Sequence, residues 1–202
     1  MRALAPVGCL FILSGYILRF VRHCLAPEGT RLKRILVLFL AALFTGTLAP
    51  AQRGWRQASD SELAALLPAR ATVEKEHIET EMRTATGIVD GRGRFIAGVV
   101  LLTAGYSAEG KYSHYLVVQA PVKIGGVLLK PGEYAFGWSR AENGETLSVH
   151  FNVAETGAPV GTAEARRMTG APRVESLRIW PPAERSIIQI GRFAIPYEIR
   201  EP

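Results

Sequence analysis

Gly105-Tyr106-Ser107-Ala108-Glu109-Gly110-Lys111 has the G-x-x-x-x-G-K spacing of a phosphate-binding loop. In such a loop, glycines bring backbone N–H groups onto phosphate and the lysine reaches the outer phosphates. Two features argue against that chemistry here. Tyr112 stands where the loop needs a Ser or Thr hydroxyl for magnesium. Residues 112–119 (YSHYLVVQ) also read as a strand, whereas a phosphate loop opens a helix whose N-terminus holds the anion. The same stretch nearly spells G-x-S-x-G around Ser107, but Glu109 intervenes and no strand–elbow–helix context supports a serine nucleophile. A polar loop between two strands is the simpler reading.

Three histidines, His77, His114 and His150, follow residue 52. They become chemistry only if they converge with one another or with carboxylates. His114 and His150 each sit mid-strand among apolar neighbours. Facing one pocket, they would serve as ligands or as an acid/base pair. Single placement on the wet face of a sheet is the plainer expectation. Glu74, His77 and Glu81 share a face if their segment is helical, but a solvated charged face is the commoner meaning of such a set. Aromatics are the third resource. Tyr106, Tyr112, Tyr115, Tyr134, Trp138 and Trp180 could line a cleft, although aromatics of an all-β domain more often fill its core. Trp138 and Trp180 each end an expected strand, where a ring can stay half exposed. The candidate ligand-binding residues are therefore Tyr112, His114, Tyr134, Trp138, His150 and Trp180. No residue is assigned a catalytic role, and no metal or cofactor is expected.

The elements that must position these residues are mostly strands. Ser59-Asp60-Ser61-Glu62 before Leu63–Leu67 is an N-cap signature and Pro68 ends the run, so a short helix is expected. Residues 71–84 fit a helix or a strand equally well. From Thr86 onward the texture is β. Short runs at 86–90, 94–106, 112–119, 122–124, 127–129, 133–138, 146–154, 160–165, 174–180, 186–190 and 192–200 are separated by turn signals. Asp90-Gly91, Lys130-Pro131-Gly132 and Asn143-Gly144 are the clearest turns. Residues 146–154 (TLSVHFNVA) alternate without a break, so one face is buried and one is wet. This spacing predicts an all-β fold, an antiparallel β-sandwich or alternatively a β-barrel, with a short N-terminal helix. Residues 52–85 would form an N-terminal extension carrying the helix, and 86–202 the β domain.

Leu129-Lys130-Pro131-Gly132-Glu133-Tyr134, followed by the strand at 146–154, resembles a pattern in secreted bacterial β-sandwich domains of unknown function. The resemblance spans roughly residues 113–165. It implies a sandwich fold and brings no catalytic residue with it. In physical terms, such a turn delivers an aromatic ring into a core.

The first quarter of the chain reads differently. Arg31, Lys33 and Arg34 precede an unbroken apolar run at 35–44 (ILVLFLAALF), and a small-residue stretch ends at Ala49-Pro50-Ala51 before Gln52. That is the order of a cleavable secretory signal. Translation starting at Leu32 from an alternative start codon would open Met-Lys-Arg, so residues 1–31 are read as lying upstream of the true start and 32–51 as the signal peptide. The competing reading keeps one or both apolar segments in the membrane, yet each falls short of the roughly 20 apolar residues a spanning helix needs.

Most of the net charge of +6 belongs to this leader, where Arg2, Arg19, Arg22, Arg31, Lys33 and Arg34 face a lone Glu28. The remainder is close to neutral and has no dense basic run, which argues against nucleic acid. Both cysteines, Cys9 and Cys24, also precede Gln52. A mature chain would thus lack disulfides, thiol nucleophiles and cysteine zinc sites. The expected function is an exported, non-enzymatic ligand- or protein-binding β module of the bacterial envelope, periplasmic or extracellular, whose partner is an envelope protein or a small ligand. One alternative is a periplasmic hydrolase using His114 or His150 with a carboxylate. The other is a membrane-anchored partner protein, touching the membrane only through an uncleaved leader.

Overall fold

A computed structural model of the chain describes residues 54–200. The expectations for the leader, its cleavage site and the two cysteines lie outside the described residues. The short helix forms where the N-cap signature places it. Helix α1 (Asp60–Leu66) starts at Ser59, whose Oγ accepts from the Glu62 amide while the Glu62 carboxylate accepts from the Ser59 amide. That reciprocal pair satisfies donors a helix start otherwise leaves open. Arg56 pairs with Glu62 at 2.6 Å, and this bond together with the Ser59 amide holds the Glu62 carboxyl at about 2.

Thirteen strands form, of which β3 to β13 meet the eleven runs expected from residue 86 on and β1 and β2 precede them: β1 (Arg56–Gln57), β2 (Arg70–Val73), β3 (Glu76–Val89), β4 (Phe95–Leu101), β5 (His114–Val118), β6 (Val122–Ile124), β7 (Val127–Leu129), β8 (Gly132–Arg140), β9 (Thr146–Val153), β10 (Pro159–Arg167), β11 (Glu175–Ile179), β12 (Ile187–Gly191) and β13 (Phe193–Ile199). Every pairing is antiparallel. The main path runs β1-β3-β4-β5-β8-β9-β10-β13-β12-β11, with β2 beside β3 and the β6–β7 hairpin beside β13. The fold is all-β, as the turn spacing requires. Its layers come from one continuous sheet that curls, which brings it toward the barrel form of the expectation. The segment open to two readings, 71–84, is a hairpin: β2 and β3 meet at a turn where Glu74 takes a positive φ of 55°. Strand β3 runs through the 85/86 boundary, so the N-terminal extension is part of the sheet.

Curling brings edge strand β11 over the concave face of β3 and β4. Leu177 packs so tightly on Gly98 that a Cβ there would lie 3.0 Å from it. No backbone ladder closes this seam. The Ile179 amide donates to the Thr86 hydroxyl at 3.2 Å, and His114 reaches the Ser176 carbonyl at 3.4 Å.

The sheet has two cores. The concave one gathers Ile96, Leu116, Phe136, Phe151, Leu177, Ile179 and Ile195. The convex one covers the other face of β3, β4, β5 and β8, where Val99, Tyr115 and Val117 lie under Leu63 of α1, Leu67 at its C-cap, Val73 of β2 and Tyr112. Strand β5 is consequently buried at all five positions. At the β7–β8 turn, the Tyr134 ring enters the concave core and its hydroxyl donates to the Lys130 carbonyl at 2.8 Å. This is the physical content of the Leu129–Tyr134 motif.

Candidate functional site

His114 was expected on a wet face and is instead buried, with 4% of its surface exposed. The reason is β11, which covers the concave face that strand alternation alone leaves open. The imidazole stacks on Phe136, with ring centroids 4.7 Å apart and planes 3° from parallel. Nε2 donates to the Ser176 carbonyl, so Nδ1 accepts from the Ser113 hydroxyl at 2.7 Å. Burial pushes the imidazole down to about 4, against the smaller opposing effect of the Ser176 carbonyl. A serine hydroxyl on a neutral imidazole is the contact a hydrolase uses. Here the third partner is a carbonyl, no carboxylate joins the group, and the ring is closed off from solvent.

His150 projects from the opposite face of the sheet. It is exposed, with Nδ1 3.0 Å from the Thr162 hydroxyl across the β9–β10 pair. The two histidines therefore stand back to back and share no cleft. His77 meets Thr72 within the β2–β3 hairpin at 3.3 Å. Glu74 sits at the turn of that hairpin and Glu81 pairs with Arg83 at 2.9 Å, so Glu74, His77 and Glu81 do not assemble. Among the described residues, no three His, Cys, Asp or Glu side chains are grouped to hold a metal.

The loop with phosphate-loop spacing is clamped by acids. The Glu76 carboxylate accepts from the Ser107 amide at 3.2 Å and from its hydroxyl at 2.8 Å. Glu74 pairs with Lys111 and accepts the Tyr112 hydroxyl at 2.9 Å, and Lys111 then Tyr112 hold its carboxyl below the usual range. Both groups that would greet a phosphate are thus occupied by carboxylates. Tyr112 and Tyr134 are core residues with satisfied hydroxyls.

Trp138 follows Tyr134 and Phe136 on the concave face, beyond the last β5–β8 pair (His114↔Phe136), and is 43% exposed. Trp180 lies at the other end of the candidate set, just past β11. Its backbone N–H donates to Ile187 O at 3.0 Å, its carbonyl accepts the Tyr197 hydroxyl, and its indole N–H donates to Gln189 Oε1 at 3.2 Å. Buried Gln189 is itself fixed by bonds to the Arg173 and Gly191 carbonyls. The guanidinium carbons of Arg178 and Arg185 lie 5.0 and 4.8 Å from the indole centroid. Neither arginine forms an ion pair among the described residues, and the Nε of Arg178 is buried without a hydrogen-bond partner there.

The six candidates are therefore spread over several environments. Tyr112 is in the convex core, His114 and Tyr134 in the concave one, Trp138 at its exposed end, His150 on the wet convex face, and Trp180 beside β12. Arg178 and Arg185 were missed. Arg178 was findable, because two residues before Trp180 on an alternating strand it shares the ring's side. Arg185 was not, since only the turn after Pro181-Pro182 returns it to the ring.

Compared with models of known protein families, with curated proteins and with solved structures, the chain matches none.

Proposed function

We propose that the chain is an exported, non-enzymatic binding module of the bacterial envelope, and that Trp180 with Arg178 and Arg185 is its binding surface. The observation that carries this reading is the immobilised, partly exposed ring of Trp180. One hydrogen bond holds the indole and two anchor its backbone, and two arginines over the ring have no carboxylate partner among the described residues. Recognition favours such groups, since an aromatic held in place loses little conformational entropy on binding. The sealed position of His114 and the separation of His114 from His150 speak for binding over turnover. Export rests on the basic, apolar and small-residue order of residues 31–51.

Two measurements test the reading. Intact-mass and N-terminal analysis of the protein from native cell fractions should find a soluble species beginning at Gln52. A membrane species retaining residues 35–44 would replace it with the anchored-partner reading. The same material should turn over none of a panel of ester, amide and phosphoester substrates. Turnover abolished by Ser113→Ala would establish a hydrolase on the Ser113–His114 pair and overturn the binding module.

A further inference from the structure

The surroundings of Trp180 narrow the chemistry of a ligand. Two guanidiniums over one ring repel each other, and each is drawn to the ring by its quadrupole. Neither nearby carboxylate pairs with these arginines. Glu175 pairs with Arg173 at 3.2 Å, and exposed Glu184, although next to Arg185 in the chain, forms no ion pair with either arginine among the described residues. A guanidinium laid against an aromatic surface keeps its N–H fork free at the edge, and that fork matches the two oxygens of a carboxylate or phosphate. Cations and metal ions are repelled by the same pair. With guanidiniums over it, the ring is a spacer for two charges more than a bare platform for a sugar.

We infer that Arg178 and Arg185, held by Trp180, bind an oxyanion, a carboxylate or phosphate group carried by the ligand. This rests on the binding-module reading and names the ligand class for it. The anion offsets the repulsion between the arginines and takes their terminal N–H groups, the buried Nε of Arg178 lying behind them. Trp180 acts as a positioning residue, since its two backbone bonds and the indole N–H bond to Gln189 hold the ring against which both arginines lie.

The test is a titration of the protein, isolated from cells expressing the full chain, with sodium phosphate and separately with sodium acetate. Ionic strength is held constant with chloride. Arginine Nε–Hε and indole N–H resonances are followed by NMR. The expected result is saturable shifts confined to Arg178, Arg185 and the Trp180 indole, with a Kd on the order of 1 mM for an isolated anion. Arg185→Gln should weaken binding about tenfold, the loss of one charge-assisted contact. Arg185 is exposed in a turn, so the variant keeps its fold, which an unchanged thermal melt verifies. Saturation by both anions supports the shared chemistry. Saturation by phosphate or acetate alone supports it and names the source. Linear shifts matched by chloride, or equal affinity in Arg185→Gln, overturn the assignment. A blank substrate panel beside that failure removes only the oxyanion, whereas Ser113-dependent turnover removes the module reading beneath it.

Discussion

The His114 imidazole titrates at 6.5 without the fold and at about 4 within it, because burial opposes its charge. Between those values the unfolded chain binds a proton that the folded chain refuses. Stability is therefore whole above pH 6.5 and falls as pH drops toward 4, by about 3 kcal/mol at most, taking 1.36 kcal/mol per unit. His114→Phe keeps the stacking surface on Phe136 and removes the titration. Its urea-unfolding free energy should be lower at pH 7 by about 1–2 kcal/mol, for the Ser176 carbonyl and Ser113 hydroxyl left unpaired. Its slope between pH 6.5 and 4.5 should flatten. An undiminished slope would show that another group carries the pH dependence. Glu74 acts in the same direction at lower pH, since its carboxyl, lowered by Lys111 and then Tyr112, likewise gives up stabilisation as the pH falls below the ordinary glutamate range.

At the scale of elements, α1 is only seven residues long and leans on its cap. Ser59→Ala should cost about 1 kcal/mol in chemical denaturation, and amide exchange should quicken across Asp60–Leu66 first. Gly137 in β8 faces the backbone carbonyl of Lys111, which a Cβ would strike. Gly137→Ala should cost about 3 kcal/mol, an overpacking penalty. Gly54→Ala, with open space around it, should stay within about 0.5 kcal/mol. Ser59 and Glu62 made α1 legible from sequence, and Asn143-Gly144 did the same for the β8–β9 turn, where Gly144 has φ 68°. Residues 122–129 paired as read. The 71–84 segment was not legible, because Glu74, Glu76, His77 and Glu79 carry no apolar period and a hairpin turn hides between them. The environment of His114 was also unreadable. Its alternation with Tyr115 is that of a one-sided strand, and only α1 and β11, distant in sequence, bury both sides.

For the whole molecule, the decisive fact is that one sheet feeds two cores. Leu63 and Leu67 are 3% and 4% exposed and roof the convex core. Leu63→Ala with Leu67→Ala removes side-chain volume worth about 2–5 kcal/mol at each site. The double variant should expose Tyr115 and Val117 and bind ANS while the concave core still melts cooperatively. Loss of both cores in a single transition would show that they form one unit. The Trp180 surface belongs to this scale too, since Tyr197 of β13, Gln189 of β12 and Arg178 of β11 must all be in register before its ring is fixed. The seam has a mechanical meaning as well. Where strands are laddered, a pull along them must break many bonds together. Between β11 and the strands it covers, the bonds of Thr86 on β3 and His114 on β5 and the packing of Leu177 and Ile179 resist. Tension across that line would part them one after another and unroll the sheet like a cuff, leaving each strand still paired to its neighbours.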